Sequence, residues 1–97
     1  MLTGKQKRFL KSKAHHLKPI FQVGKGGVNE NLIKQVEDAL EARELIKVSI
    51  LQNCDEDKDE VADALSFGAK AEIVQIIGNT IVFYKESINK KTIELPS

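Results

Sequence analysis

The chain passes from a short apolar run into a helical pattern at Val23-Gly24-Lys25-Gly26-Gly27-Val28. Three glycines in four positions allow positive φ angles and let another molecule approach the backbone closely. Such a turn can present several backbone N–H groups, and the positive end of the following helix adds to their attraction for phosphate oxygen. Lys25 supplies a mobile cation beside them. A tight turn without a ligand explains the glycines equally well on the motif alone, because short motifs also match by chance.

Length and composition describe one domain of 97 residues with a modest core. Hydrophobic residues make up 41% and charged residues 30%, the proportions of an ordinary soluble globular protein. No apolar run approaches the roughly 20 residues of a membrane span, and no signal-peptide stretch follows the charged start. We therefore expect a cytoplasmic protein that does not contact membranes. The single cysteine, Cys54, is expected to be an inert, partly buried thiol.

The two signs of charge are segregated along the chain, although the net charge is only +1. Residues 1–28 contain seven basic residues and no acidic one, which gives this segment a charge of +7. Residues 29–97 contain eight basic and 14 acidic residues, a charge of −6, with an acidic cluster between Asp55 and Asp63. This asymmetry indicates one face that attracts a polyanion and another that is kept away from it.

The first half of the chain has the pattern of two helices and two strands. Thr3 and Gln6 form a capping box at the start of the first helix, and Pro19 stops that helix. Asn29 is a good N-cap for the second helix. The predicted elements of this half are a helix over about Gly4 to His16, a strand over 20–23, a helix over about Glu30 to Arg43 and a strand over 45–51.

The second half has the pattern of one helix and a hairpin. Asp55 is placed to cap the third helix, about 56–67, and Gly68 to stop it. The inward residues of this helix are predicted to be Val61, Ala64 and Leu65. Gly78 and Asn79 separate two β-rich runs, 73–77 and 80–85, which predicts a hairpin with a type II′ turn. The polar tail, 86–97, is expected to carry one short strand or to lie extended.

The predicted order, α-β-α-β-α-β-β, determines the fold class. Helices between successive strands predict parallel pairing in part of the sheet, and the hairpin adds an antiparallel pair. We expect an α/β (α+β) fold, a single compact domain with a mixed four-stranded sheet. The glycine turn then lies at the carboxyl end of the first strand, where open α/β sheets commonly bind ligands.

One face of the first helix is basic. On a helical wheel Arg8, Lys11 and His15 lie opposite the stripe of Phe9 and Leu10. A basic helix supplies sequence-independent attraction for phosphates, and a Gly-x-x-Gly turn can clamp a single-stranded backbone. Lys7 and Lys18 fall at one edge of the basic face and Lys5 at the other. The residues expected to contact nucleic acid are therefore Gly24, Lys25, Gly26, Gly27, Lys5, Lys7, Arg8, Lys11 and Lys18.

Other combinations of residues give no indication of catalysis or of a metal site. His15 and His16 are adjacent, so on a helix they point about 100° apart and cannot chelate one ion together. The acidic cluster lacks the spacing of a calcium loop, and the glycine turn matches neither the Walker nor the dinucleotide pattern. We expect no enzymatic activity, no metal, no cofactor and no small-molecule substrate. The aromatic side chains are placed for packing, with Phe9, Phe21 and Phe67 in the core and Tyr84 in its strand.

Four ordered motifs extend over most of the chain: Leu2-Thr3-Gly4-Lys5-Gln6-Lys7-Arg8, His15-His16-Leu17-Lys18-Pro19, Val23-Gly24-Lys25-Gly26-Gly27-Val28 and Gly78-Asn79-Thr80-Ile81-Val82-Phe83-Tyr84-Lys85. Together they resemble the CRM domain (chloroplast RNA splicing and ribosome maturation), whose bacterial single-domain form is the YhbY-like family. The resemblance covers about residues 2–86 and implies an RNA-binding protein similar in fold to the C-terminal domain of a bacterial translation initiation factor. The family's RNA-contacting loop falls on the residues from Gly24 to Gly27, without departure, and bacterial members are linked to precursors of the large ribosomal subunit.

These observations predict a single CRM-type domain over residues 1–97, with a core at about 2–86 and a polar tail at 87–97. As a monomer, it would bind ribosomal RNA or a particle preceding the large subunit. The alternative is a protein-interaction module that docks a ribosomal or assembly protein through the acidic third helix. The RNA hypothesis requires Lys25, Arg8 and Lys11 to lie on the same side of the folded domain.

Overall fold

The computed structural model describes all residues from 1 to 97, as three helices and four strands in the predicted order. The helices are α1 (Gly4–Ala14), α2 (Glu30–Arg43) and α3 (Lys58–Ala69). The strands are β1 (Phe21–Val23), β2 (Leu45–Ile50), β3 (Glu72–Ile77) and β4 (Thr80–Tyr84). The predicted fold class is confirmed.

The four strands form one mixed sheet in the order β1-β2-β4-β3. Strand β1 is parallel to β2, while β4 is antiparallel to both of its neighbours. Ile77 pairs with Thr80, so Gly78 and Asn79 form a two-residue hairpin loop. Only Gly78 of these two has a positive φ, +55°, the angle that the first position of a type II′ turn requires.

The helices cover the two faces of the sheet unequally. On one face, Ile46 and Val48 of β2 and Phe83 of β4 pack with α2 and α3 in the larger core cluster. On the other face, Leu45 and Tyr84 pack with α1 in a smaller cluster. Because neighbouring strand residues point to opposite faces, β2, β3 and β4 each contribute to both layers, whereas β1 contributes only to the larger one. The basic helix α1 is therefore the only helix on its side of the sheet, where residues of the tail also pack.

The predicted helix caps of the first half are present. The Thr3 hydroxyl accepts the Gln6 N–H at 3.1 Å, and the Gln6 side chain accepts the Thr3 N–H at 3.0 Å, which completes the capping box. The Asn29 side chain accepts the Leu32 N–H at 2.8 Å and caps α2. Helix α2 begins and ends where the sequence pattern predicts.

The predicted ends of α3 are wrong. The N-cap is Asp57 instead of Asp55, and the helix continues through Gly68 to Ala69, where Lys70 takes a left-handed conformation with φ +56°. A Cβ at Gly68 would lie 2.7 Å from the Cδ1 atom of Ile33 in α2. This glycine permits close packing of two helices, and it does not stop α3.

The predicted place of Phe67 in the core is also wrong, because its side chain is 89% exposed. Val61, Leu65 and Ala69 are spaced by four residues and form the buried stripe of α3. Phe67 lies two residues after Leu65, which turns it about 200° around the helix, toward solvent. Of the inward residues predicted for this helix, Ala64 is only half-buried. Tyr84, by contrast, is buried as predicted.

The tail forms no strand, and a buried carboxylate anchors it to the domain. Glu44, at the end of α2, is fully buried and has a φ of +66°. Its carboxylate accepts the backbone N–H groups of Ser87 at 2.8 Å, Thr92 at 2.7 Å and Ile93 at 2.8 Å, and the Thr92 hydroxyl at 3.3 Å. The tail therefore belongs structurally to the domain, although its sequence is polar.

Hydrogen bonds to the tail lower the pKa of two glutamates below their ordinary value of 4.5. Burial raises the pKa of Glu44, but its three backbone N–H donors and the Thr92 hydroxyl outweigh that effect and lower the pKa overall. The pKa of Glu41 is lowered by the backbone N–H groups of Ile88 and Asn89, and by the Ser87 hydroxyl. Both groups therefore release their protons more readily in the folded chain than in the unfolded chain.

These pKa shifts predict that the domain loses stability in acid. A carboxyl group whose pKa is lower in the folded state contributes its full stability above the unfolded value of 4.5, and this contribution disappears as the pH falls through the folded pKa. We predict that Glu44→Gln lowers the free energy of unfolding at neutral pH by about 2 kcal/mol, because an amide cannot satisfy the same N–H donors. Urea unfolding at several pH values measures both effects.

Glu94→Gln is the matched control, since Glu94 is exposed and its carboxylate accepts no hydrogen bond in the protein. We expect this control to retain the stability and acid sensitivity of the unaltered chain. Identical pH profiles for the Glu44 variant and the control would contradict the assignment.

Candidate nucleic-acid interface

The glycine stretch forms a tight turn directly after β1. The Gly27 N–H donates to the Gly24 carbonyl at 2.9 Å, and Gly27 has a φ of +64°. Lys25 and Gly26 are exposed at the tip, and their backbone N–H groups donate to no group of the protein. Two neighbouring donors and one lysine are therefore accessible from solvent at the carboxyl end of an edge strand.

The backbone N–H of Val28, just after the turn, is already bonded to a carboxylate of the protein. The Val28 N–H donates to Oε1 of Glu56 at 2.9 Å, and a Cβ on Gly27 would overlap the same carboxylate. Glu56 belongs to the acidic cluster and lies just before the start of α3. The expected separation of the acidic cluster from the glycine turn is therefore incomplete.

The basic residues predicted for the interface are distributed over the two ends of the sheet. Lys5, Arg8 and Lys11 are exposed on α1, and Lys7 is half-exposed. Lys18 follows α1 and lies with Arg43 beside the start of β2, whereas the glycine turn follows the end of β1, at the other end of the sheet. The structure thus does not bring Lys18 to the turn.

A cleft of about 190 Å³ separates α1 from the uncovered part of the sheet. Lys11 and His15 form one wall, and Lys47, Gln75 and Thr80 of three strands form the other wall and the floor. Reasoning from sequence missed this cleft, although the alternation of β2 already placed Lys47 on the less covered face. Glu56 was also missed, because no pattern in the sequence links it to the turn.

Several other features of the sequence have simple structural outcomes. Cys54 is partly buried, as predicted, and its thiol lies 3.6 Å from the Glu56 carbonyl oxygen. No group of three His, Cys, Asp or Glu side chains is arranged to hold a metal ion. None of the three helices combines the length and the apolar character that a membrane crossing needs.

Comparison with known proteins places the chain in a family. Residues 2–85 match the CRS1 / YhbY (CRM) domain. The chain belongs to the CRM domain family. The resemblance inferred from the four motifs is thereby confirmed.

Two relatives and one solved structure align with this CRM protein along nearly their whole length. It is 74% identical over 96 residues to the Bacillus subtilis protein named Probable RNA-binding protein YqeI, covering 99% of this chain and 100% of that one. It is 41% identical over 95 residues to a Haemophilus influenzae protein named RNA-binding protein, covering 98% and 95%. The solution structure of the hypothetical protein SAV1595 from Staphylococcus aureus is similar, with a TM-score of 0.82, 61% identity and coverage of 99% and 100%.

The geometry of the turn predicts that two adjacent glycines of this CRM protein differ in how well they tolerate substitution by alanine. We predict that Gly27→Ala lowers the free energy of unfolding by about 1–2 kcal/mol, because alanine is strained at positive φ and its Cβ would overlap the Glu56 carboxylate. Gly26→Ala is the matched control, since its φ is not positive and no atom lies within 4 Å of the place that the new Cβ would take. Thermal and urea denaturation compare the two variants. Equal stabilities would contradict the described geometry.

Proposed function

We propose that this CRM-family protein binds RNA without catalysing a reaction, and that its target is ribosomal RNA of the large subunit or its precursors. The observation that carries the proposal is the pair of solvent-facing N–H groups at Lys25 and Gly26, within a segment of +7 charge. The names of the relatives as RNA-binding proteins support RNA as the ligand. The choice of ribosomal RNA rests on the resemblance to the bacterial YhbY-like branch.

At the glycine turn, one phosphate would accept both free N–H groups. The Lys25 ammonium adds a charged donor that can follow the phosphate, since this side chain is exposed. The N-terminus of α2 begins three residues after Gly27 and contributes a favourable dipole. Val28 cannot contribute its N–H while Glu56 accepts it, so a phosphate binds beside Glu56 or displaces it.

Along α1, the exposed cations Lys5, Arg8 and Lys11 would attract further phosphates. These contacts recognise the charge of the RNA backbone and do not discriminate between base sequences. Their contribution to affinity falls steeply as the salt concentration rises, because binding releases counterions from the RNA. Lys7, which is half-exposed, would add to the same basic face. We also propose that the protein acts in the cytoplasm and as a monomer.

The turn is tested with a double variant, Lys25→Asp and Gly26→Asp. We predict that its affinity for large-subunit ribosomal RNA falls by about tenfold or more, because repulsion replaces a charge-assisted contact. The fold should persist, since both residues are exposed and the space around Gly26 is open. Filter binding at several salt concentrations gives the affinity, and circular dichroism confirms folding.

Lys90→Asp is the control for a simple loss of positive charge. Lys90 is exposed in the tail, near the end of the sheet that lies opposite the glycine turn. We expect this variant to bind RNA nearly as well as the unaltered chain. If the double variant also binds normally, the turn is not the site.

A second function, docking of a basic ribosomal or assembly protein on α3, is favoured by one observation. Phe67 is 89% exposed on the helix whose first turn carries Asp59 and Glu60. An exposed aromatic side chain on a helix that also carries acidic residues suits a basic protein partner. Copurification of a ribosomal protein that survives nuclease treatment and is lost in Phe67→Ser would favour this function. Loss of copurification on nuclease treatment would reject it.

A further inference from the structure

The cleft between α1 and the sheet has features that α1 and the glycine turn lack. It is concave, and its lining combines cations, neutral hydrogen-bonding groups and apolar surface. The lining residues that matter are Lys11, His15, Lys47, Gln75, Ile77 and Thr80. A basic surface alone attracts phosphate, whereas a concave mixed surface can also hold a base.

The cleft exists because α1 is too short to cover its face of the sheet. Helix α1 has 11 residues and packs over Leu45, Val82 and Tyr84. Toward the hairpin tip the same face is open, and Ile77 there is 58% exposed. The open face therefore carries polar side chains beside an exposed apolar one.

The charge of the cleft is uniformly positive. No aspartate or glutamate is among its lining residues. The Lys47 ammonium donates to the Leu17 carbonyl at 3.0 Å, which holds this cation at the border of the cleft. Lys11 is exposed on the opposite wall. An anionic ligand therefore meets two lysines and no opposing carboxylate.

The neutral polar groups of the cleft are unused by the protein. The Gln75 amide and the Thr80 hydroxyl make no hydrogen bond to another group of the chain. A glutamine side chain offers both a donor and an acceptor, and a threonine hydroxyl offers the same pair. Such groups match the hydrogen-bonding edge of a base, which also presents donors and acceptors.

We propose that this cleft is a subsite for one nucleotide of single-stranded RNA. The base lies against Ile77, its edge bonds to Gln75 and Thr80, and the phosphate lies between Lys11 and Lys47. This inference rests on the proposed function, because it names a further part of the same RNA interface. Single-stranded RNA is the suitable ligand, since only an unpaired and unstacked base exposes its Watson–Crick edge and its faces to a protein.

The size of the cleft is consistent with a partial enclosure of the nucleotide. Its volume of about 190 Å³ is below the roughly 300–1,000 Å³ of pockets that enclose small-molecule ligands. The cleft would hold the base and leave the sugar and phosphate at its edge. An isolated nucleotide would then bind weakly, and affinity would come from the neighbouring contacts of a strand.

The sheet connects the cleft to the glycine turn. Thr80 pairs with Ser49, and Ser49 pairs with Gln22, so these three polar residues form one row across the uncovered face. The row is two strand spacings long, roughly 10 Å. Val23 and the turn follow Gln22 directly. A strand of RNA that occupies the cleft can therefore continue along this row to Lys25.

The experiment uses eight-nucleotide strands of A, C or U. The cleft variant, Lys47→Met with Gln75→Met, removes one cation and one amide of the cleft with little change of shape and keeps Lys11, His15 and Thr80. We expect the unaltered chain to prefer one of the three strands. The cleft variant should lose about tenfold affinity for that strand and bind all three alike, because a base contact of this kind discriminates by about that factor.

The matched control is Gln35→Met with Lys90→Met, which makes the same chemical changes at exposed positions outside the cleft. It should keep both the affinity and the preference. Equal binding by the cleft variant and the control would overturn the proposal that the cleft binds a nucleotide. The proposed function would survive that result if the double variant Lys25→Asp with Gly26→Asp still binds RNA poorly. If the unaltered chain binds neither these strands nor ribosomal RNA, the proposed function falls as well.

An NMR titration of the unaltered chain keeps the proposal testable if the cleft variant unfolds. Addition of the preferred strand should shift the backbone amide signals of Lys47, Gln75 and Thr80 and the side-chain amide signal of Gln75. Signals of Lys25 and Gly26 should shift in the same titration. Shifts at the turn without shifts in the cleft would overturn the inference.

Discussion

The buried carboxylate of Glu44 connects several separate parts of this structure. Its own backbone bonds to Leu40 of α2 and to Lys85 after β4, while its carboxylate takes three N–H groups of the tail. The tail then places Ile93 in the cluster that includes Leu10 of α1. The seating of the basic helix on the sheet therefore depends partly on a charge buried at the end of another helix. An unpaired charge there would be costly, and the fixed N–H donors make it favourable.

The two ends of the sheet have different physical characters. At the Glu44 end, the buried Glu44 carboxylate accepts the backbone N–H groups of Ser87, Thr92 and Ile93 within the protein. At the other end, the glycine turn leaves the N–H groups of Lys25 and Gly26 without protein acceptors. Unsatisfied donors are tolerable only where water or a ligand reaches them, so the turn must be exposed. Stability and the capacity to bind are thus located at opposite ends of one small domain.

The sequence alone predicted elements whose signals are local. Asn29 and the apolar stripe after it determine α2, and Gly78 determines the hairpin. It failed at α3, where the N-cap Asp57 makes no side-chain capping hydrogen bond and where Gly68 serves helix packing. The contacts of Glu44 join residues 43 to 49 positions apart, and no periodic pattern encodes them. The glycine turn could be located from sequence for the same local reason, whereas the cleft depends on strand register.

Glu56 bears directly on what the glycine turn can bind. A carboxylate already accepts a backbone N–H at the edge of the turn, at Val28, so the local geometry accommodates an oxygen anion. An RNA phosphate at Lys25 and Gly26 would lie near that carboxylate and experience its repulsion. Under the proposed function, the turn alone then binds a phosphate weakly, and the cations of α1 must contribute the rest. Under the same proposal, this balance explains why the domain combines a glycine turn with a basic helix.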